Sequence, residues 1–187
     1  IPFLPGRIRQ VYLVGVPVLA SADIFLMSPG THGMVQFLDY HLILGKVDRL
    51  ALVFGYVFSI MAVIGMVYSL HVKEWGRHVA AWVYVGGALG VVFAGDLITL
   101  FIFWEMMAAS VFLIWFAGGP AAIWSGFRYL MVHLFGGVCL MGGILLHINQ
   151  TGAIEFGRMG AGDPAGIIIL IGFLVNAAVP PLQRMQD

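Results

Sequence analysis

Long apolar runs that lack Asp, Glu, Lys and Arg constrain this chain more than any other feature of its sequence. The clearest run covers residues 50–72 and is long enough to cross the hydrocarbon core of a bilayer as a helix. Hydrophobic residues make up 61% of the 187 positions and charged residues 10%. Soluble domains have about 45–50% apolar and about 25% charged residues. A water-soluble fold of this length could not bury so much apolar surface, so we predict an integral membrane protein in contact with the lipid bilayer.

Charge balance and cysteine usage exclude several classes of function. Nine Lys and Arg residues match nine Asp and Glu residues, so no basic excess indicates nucleic-acid binding. The single cysteine, Cys139, cannot form an internal disulfide, and one thiol makes neither a zinc site nor an iron–sulfur site. We recognise no nucleotide, flavin or quinone motif. We therefore expect no cofactor, and any redox chemistry would belong to partner subunits.

Six apolar segments have the length of about 17–25 residues that a membrane-spanning helix needs. They are residues 11–28, 50–72, 79–95, 97–117, 123–147 and 166–182. The predicted fold is thus all-α and polytopic, with a single membrane domain over residues 1–187. Residues 29–49 open with a glycine- and proline-containing turn and continue into residues 35–44, which are too short and too polar to span, so they predict a turn with a short hairpin or surface segment. The glycine-rich residues 148–165 predict a solvated loop. The join at Gly95 and Asp96 is so tight that the flanking helices should be antiparallel neighbours.

Basic residues are distributed unevenly between the two ends of these helices. One side has Arg7, Arg9, Lys73, Arg77, Arg128 and Arg184. The other side has Lys46, Arg49 and Arg158. Because cytoplasmic segments carry the excess of Lys and Arg, we expect the first side, with the first residues of the chain, to be cytoplasmic. The chain begins at Ile1 without the basic start of a signal peptide, and we expect an upstream helix to be missing from this sequence.

Glu105 is the only charged residue in its predicted helix. It lies about 12 Å from the helix start, near the centre of a bilayer. A charge at that depth costs at least about 2.5–3.5 kcal/mol, so such residues usually face a protein interior or a wet cavity. A glutamate that stays protonated and bonds to a neighbouring helix would also explain it. We favour a site that exchanges a proton or pairs with a mobile cation, because a moving positive partner changes the balance between the protonated and ionised forms.

His133 is the second candidate because it also reaches the middle of a predicted helix, about 15 Å from its start. Its helical stripe contains Gly136, Gly137, Leu140, Gly143 and His147. Small residues allow close helix contact, so this stripe should face the protein interior. A histidine there can relay protons near neutral pH, and a neutral hydrogen-bonding histidine is an equal alternative.

A pair of histidines on one helix face also allows an electron-transfer hypothesis. His133 and His147 are about 21 Å apart along the helix, and membrane cytochromes use such pairs to hold two haems. Each haem needs a second histidine from another helix. No other predicted helix has a matching pair, so we do not favour bound haem.

Three further polar residues lie in or beside the predicted helices. Arg128 could extend to the membrane surface, or it could stabilise Glu105 as an anion if the two helices pack face to face. Asn176 lies in the middle of the last helix, where a hydrogen bond between helices is its default role. Asp96 should cap the helix that follows the tight turn.

Three motifs in this order resemble a known family. They are GDLITLFIFWEMM at residues 95–107, FRYLMVHLFGG at residues 127–137 and GFLVNAAVPPL at residues 172–182. They resemble the antiporter-like subunits shared by Mrp-type Na+/H+ antiporters, membrane-bound hydrogenases and respiratory complex I, and most closely the D-type Mrp subunit. The resemblance covers residues 90–182 well, and the earlier helices fit only by hydropathy.

The resemblance implies a proton- or cation-translocating subunit of a multisubunit complex in a prokaryotic cytoplasmic (inner) membrane. Its partners would be other membrane subunits, with H+ and Na+ as the candidate ions. Glu105 corresponds to the family's essential membrane glutamate and His133 to a histidine of some branches. Arg128 stands where many members have a lysine or arginine beside a tyrosine, here Tyr129. In the family these groups form part of a hydrated polar axis with half-channels to either face.

Two features depart from the family pattern. Asn176 stands where many members have a lysine in a broken helix, so the usual lysine–glutamate switching cannot be assumed. After Leu182 the sequence no longer follows the pattern, and the chain would form one half of an inverted-repeat fold. Either it is a fragment of a longer transporter, or it is a shortened homologue that has lost transport and acts as a scaffold or accessory subunit.

Overall fold

The structure, a computed structural model, describes residues 6–160 and 162–177, without the side chains of residues 112–117 and 121. Within these residues it is mostly helical, with one β-hairpin after the first helix. The elements are α1 (Gly6–Leu26), β1 (Gly30–Phe37), β2 (Tyr40–Val47), α2 (Arg49–Tyr68), α3 (Trp75–Phe93), α4 (Leu97–Gly118), α5 (Pro120–Thr151) and α6 (Pro164–Asn176). A short 3₁₀ turn, Ser69–His71, follows α2.

Each predicted helical segment coincides with one observed helix, and the differences are at the ends. α5 continues past the predicted end at residue 147 to Thr151, so the predicted loop begins later than expected. Gly152 ends the helix with a left-handed backbone (φ 71°), which glycine adopts readily. The short hairpin predicted within residues 29–49 is the antiparallel pair of β1 and β2. Residues 178–182 of the last predicted helix, with both prolines, lie outside the described part of the chain.

Three helical stretches are long and apolar enough to cross a membrane, as judged by length and composition. They are Gly6–Leu26, Arg49–His71 and Ala122–Thr151. Two shorter apolar stretches, Leu97–Val111 and Pro164–Asn176, also lie within the described residues. Large apolar side chains such as Phe54 and Ile64 are exposed on the outside of α2, as expected for contact with lipid. That all six helices cross the membrane stays a prediction.

The helices that carry the candidate residues pack closely, α3 against α4 and α5 against α6. Glycines make the close contact between α5 and α6 possible. A Cβ added to Gly143 would lie 2.6 Å from Cγ1 of Ile169, and one added to Gly172 would lie 2.8 Å from the backbone nitrogen of Leu140. Such small residues let two helix backbones approach. The core beside this contact is formed by Ala94, Leu97, Leu100, Leu140, Ile144 and Ile169.

The turn between α3 and α4 is fixed by the carboxylate of Asp96, which is fully buried. Its Oδ1 accepts from the backbone nitrogen of Thr99 at 2.7 Å, and its Oδ2 accepts from Thr99 Oγ1 at 2.8 Å. The prediction that Asp96 caps the following helix is therefore confirmed. Oδ2 also accepts from the backbone nitrogen of Ile43 in β2 at 2.6 Å, so the same carboxylate joins the hairpin to the start of α4.

Hydrogen bonds also show which connections share an end of the helical bundle. Nη1 of Arg9 donates to the carbonyl of Lys73 at 3.2 Å, which joins the start of α1 to the link between α2 and α3. At the opposite end, the backbone nitrogen of Leu97 donates to the carbonyl of Ile154 at 3.0 Å. The hairpin, the α3–α4 turn and the α5–α6 loop thus lie together at one end. Arg9 and Lys73 lie at the other, as their predicted grouping requires.

Candidate functional site in the helical interior

Glu105 lies two turns into α4 and faces α5. Its half-buried side chain lies against Gly137, where an added Cβ would be 3.2 Å from Cδ of Glu105 and in closer contact with Oε1. Oε1 is enclosed and has no hydrogen-bond partner among the described residues. The missing side chain at Gly137 therefore provides the space that the carboxylate occupies.

A cavity of about 360 Å³ lies between α4 and α5 beside this carboxylate. Among the described residues, Glu105 is the only ionisable one that lines the cavity, and the other walls are glycine or apolar side chains, among them Phe101 and Met141. Leu134 and Leu145, which also line it, are exposed, so the cavity opens to the outside of this chain. The carboxylate can therefore contact water, a cation or a group from a neighbouring helix through this opening.

His133 is buried, with 6% of its surface exposed, one turn of α5 before Gly137. Its imidazole stacks against the ring of Tyr129, with centroids 5.8 Å apart, and against the indole of Trp104, with centroids 6.4 Å apart. Its Nε2 is enclosed and lacks a partner among the described residues. His133 and Glu105 thus lie within about one helical turn of each other along α5.

Asn176 joins three helices through its amide group. In the amide orientation that satisfies both of its polar atoms, Oδ1 accepts from Nε1 of Trp104 at 2.8 Å and Nδ2 donates to the carbonyl of His133 at 3.3 Å. The amide lies against Gly136, where an added Cβ would be 2.6 Å from Cγ of Asn176. In this orientation Asn176 forms hydrogen bonds between helices, which was the default role expected from the sequence.

Arg128 lies apart from this group. It is exposed near the start of α5 and precedes Gly137 by nine residues. On an α-helix that is about two and a half turns, so Arg128 lies on the opposite side of α5 from Gly137 and about 13 Å away along the axis. The structure therefore does not place Arg128 and Glu105 face to face, which was one of the two arrangements considered from the sequence.

The stripe predicted to face the interior is buried along its whole length. Gly136, Gly137 and Gly143 are buried, Leu140 is fully enclosed and His147 is 6% exposed. Nδ1 of His147 is enclosed and without a partner among the described residues. The stripe thus packs α5 against α4 and α6.

Trp104 is the residue of this site that sequence reasoning did not identify. It contacts His133 and Asn176, and its ring packs edge-on against Phe173 with centroids 5.1 Å apart. A tryptophan is usually anchored in an apolar interior through its N–H group, which needs an acceptor there. The sequence did contain a signal for this role, an indole N–H group next to Glu105 inside an apolar helix. That group needs an acceptor, and the few polar side chains on the other helices were the candidates.

Comparison with known proteins supports the same architecture. Residues 94–184 match the profile of the family described as NADH:quinone oxidoreductase/Mrp antiporter, transmembrane. The Na+/H+ antiporter subunit A1 of Staphylococcus aureus is 29% identical over 151 residues, which cover 72% of this chain and 19% of that protein. The chain thus spans about a fifth of the curated relative. This relative is an A-type subunit, and the likeness to the D-type subunit stays a prediction.

Solved structures share the fold at low sequence identity. The Mrp complex from Dietzia sp. has a chain with a TM-score of 0.75 and 22% identity, which covers 90% of this chain and 20% of that one. A chain of respiratory complex I from Thermus thermophilus with bound NADH has a TM-score of 0.76 and 19% identity, and the match covers 97% of this chain and 42% of that one. The resemblance read from the three motifs is therefore confirmed. The chain is an integral membrane protein with an antiporter-like fold, and its residues 94–184 match the NADH:quinone oxidoreductase/Mrp antiporter family.

Proposed function

We propose that this chain moves protons or sodium ions across the membrane as one subunit of a larger complex. The observation that carries the proposal is the Glu105 carboxylate inside an apolar helix. It lies beside an open cavity and has an enclosed oxygen with no hydrogen-bond partner in the described part of the chain. A carboxylate so placed can take up and release a proton, or pair with a cation, through the cavity. The name of the curated relative makes Na+/H+ antiport the first activity to test.

The neighbouring residues have distinct roles in this proposal. Glu105 is the proton-exchanging carboxylate, and His133 is a relay about one turn away. Arg128, on the opposite side of α5, acts as an electrostatic modulator through the field of its charge rather than through an ion pair with Glu105. Asn176 takes part as a polar group that holds α6 against α4 and α5.

The proposal also includes an arrangement in the membrane. All six helices cross a prokaryotic cytoplasmic membrane as a single domain, residues 1–187, which forms one half of an inverted-repeat fold. The first residues are cytoplasmic. The hydrogen bond from Arg9 to Lys73 supports this orientation, because it groups two cationic segments at one end. The partners are the bilayer and the other membrane subunits of the complex.

The Glu105→Gln substitution tests the proposal with little change in side-chain size. We expect transport by the complete complex, measured as dye-reported pH change in everted membrane vesicles, to fall about tenfold or more, because the amide cannot exchange a proton. Glu105→Asp keeps the carboxyl group and should retain part of the activity. Equal amounts of assembled subunit must be present in each case. Unaltered transport by the Gln variant would contradict the proposal.

A second candidate function is that of a scaffold or accessory subunit, and Asn176 favours it. The position has no ionisable group, and its amide is already engaged by Trp104 and His133. Removal of such a subunit would prevent assembly of the complex, whereas Glu105→Gln would leave transport unchanged. Native gels run beside the transport assay distinguish the two functions.

A further inference from the structure

We infer that Trp104 is a positioning residue for His133, whose indole fixes the orientation in which the imidazole exchanges a proton. The inference rests on the proposed function, in which His133 is the relay. Trp104 does not itself titrate and is not expected to contact the transported ion. It would act only through the orientation of its neighbour.

Direct contacts between the two residues carry the first step. The His133 imidazole stacks on the indole of Trp104, with centroids 6.4 Å apart and an interplanar angle of 23°. Nε2 of the imidazole is enclosed and has no hydrogen-bond partner among the described residues. The indole therefore limits the orientations that the imidazole can adopt, and with them the direction in which Nε2 points.

Asn176 carries the second step, since it links the indole to the backbone of His133. Nε1 of Trp104 donates to Oδ1 at 2.8 Å, and Nδ2 donates to the His133 carbonyl at 3.3 Å. A helical carbonyl has a second lone pair for such a bond. Trp104, Asn176 and His133 thus form a closed set of contacts across α4, α5 and α6. Because Asn176 links the indole to the His133 carbonyl, a shift of the indole would change the position of α5 along its axis, and its rotation, at His133.

The surroundings of the imidazole determine what its proton exchange depends on. Tyr129 of the same helix stacks on the imidazole, with ring centroids 5.8 Å apart. From α4 the nearest ionisable group is Glu105, about one turn further along α5, while α6 presents the amide of Asn176. A change in imidazole orientation alters its distances to these groups, so the pH dependence of transport should report it.

Trp104→Phe is the test variant because it keeps an aromatic ring and removes only the larger indole with its N–H group. Trp124→Phe is the matched control, since Trp124 is 72% exposed and contacts Phe127 of its own helix. Both are to be measured in the complete complex in everted vesicles. We expect Trp104→Phe to lower transport about threefold to tenfold, the range for loss of one hydrogen bond, and to shift the midpoint of its pH dependence. Trp124→Phe should change neither.

The same substitution in a His133→Gln background separates positioning from a general structural role. A residue that acts through His133 should have no further effect once the imidazole is gone. An equal additional loss in that background, or an unshifted pH midpoint in Trp104→Phe alone, would overturn the inference. If Trp104→Phe does not accumulate, Asn176→Leu removes both amide bonds and should give the same shift, and an unshifted midpoint there counts equally against the inference.

Failure of the inference is distinguishable from failure of the proposed function. Unaltered transport by His133→Gln alone would overturn the relay, and with it the role of Trp104. Lowered transport by His133→Gln, together with no effect of Trp104→Phe, would overturn only the inference about Trp104.

Discussion

The absence of one methyl group at Gly137 allows the Glu105 carboxylate to lie between α4 and α5. We predict that Gly137→Ala displaces the carboxylate, because the new Cβ would contact Oε1. Transport should fall several-fold while the subunit still assembles. Gly142→Ala is the matched control, since Gly142 lines the same cavity and an added Cβ there meets nothing within 4 Å. Equal transport by the two alanine variants would show that the position of the carboxylate does not matter.

Sequence reasoning could identify the ionisable residues of the site but not their contacts. Glu105 and His133 are conspicuous because a polar group inside an apolar helix is costly. The contact between Trp104 and Asn176 depends on which faces of three helices meet, and helix length and polarity do not determine that. Arg128 illustrates the same limit. Its pairing with Glu105 was open until the structure placed Gly137, half a turn away around α5, against the carboxylate.

At the scale of elements, the start of α4 is anchored by three hydrogen bonds to the Asp96 carboxylate. We predict that Asp96→Ala destabilises the subunit by about 1–3 kcal/mol, because it leaves buried backbone donors of Thr99 and Ile43 without their acceptor. Asp48→Ala is the comparison, since Asp48 caps only its own helix through one bond to Ala51. It should cost about 1 kcal/mol. The midpoint of thermal unfolding of the purified complex measures both, and an equal decrease for the two variants would contradict the added role of Asp96.

The helices themselves were predictable because each is a long apolar run. Their ends were less so. α5 continues to Thr151 through polar residues that its apolar pattern did not include, and it ends only where Gly152 adopts a left-handed backbone. The hairpin was predicted as one of two options, since glycine-rich polar segments also form irregular loops. The bond from its Ile43 to Asp96 is a long-range contact that no local pattern indicates.

At the scale of the whole molecule, the two ends of the bundle should lie on opposite sides of the membrane. We predict that Lys73→Cys and Arg158→Cys, each in a Cys139→Ala background, react with a membrane-impermeant maleimide from opposite sides. Both side chains are exposed. Arg158→Cys should react in intact cells and Lys73→Cys only in everted vesicles. The reverse pattern would overturn the predicted orientation, and reaction of both from one side would overturn the two-ended arrangement.

The glycine face of α5 has a consequence for how this sequence can change during evolution. An added methyl group would lie within 3 Å of a neighbouring atom at Gly136, Gly137 and Gly143, whereas Gly142 on another side of the same helix has open space. Substitutions that leave the protein intact are therefore expected only on the outer side of α5. Among descendants of this chain, substitutions should accumulate with the period of the helix on its outer surface, while the inner side stays almost unchanged as long as the carboxylate opposite it is kept.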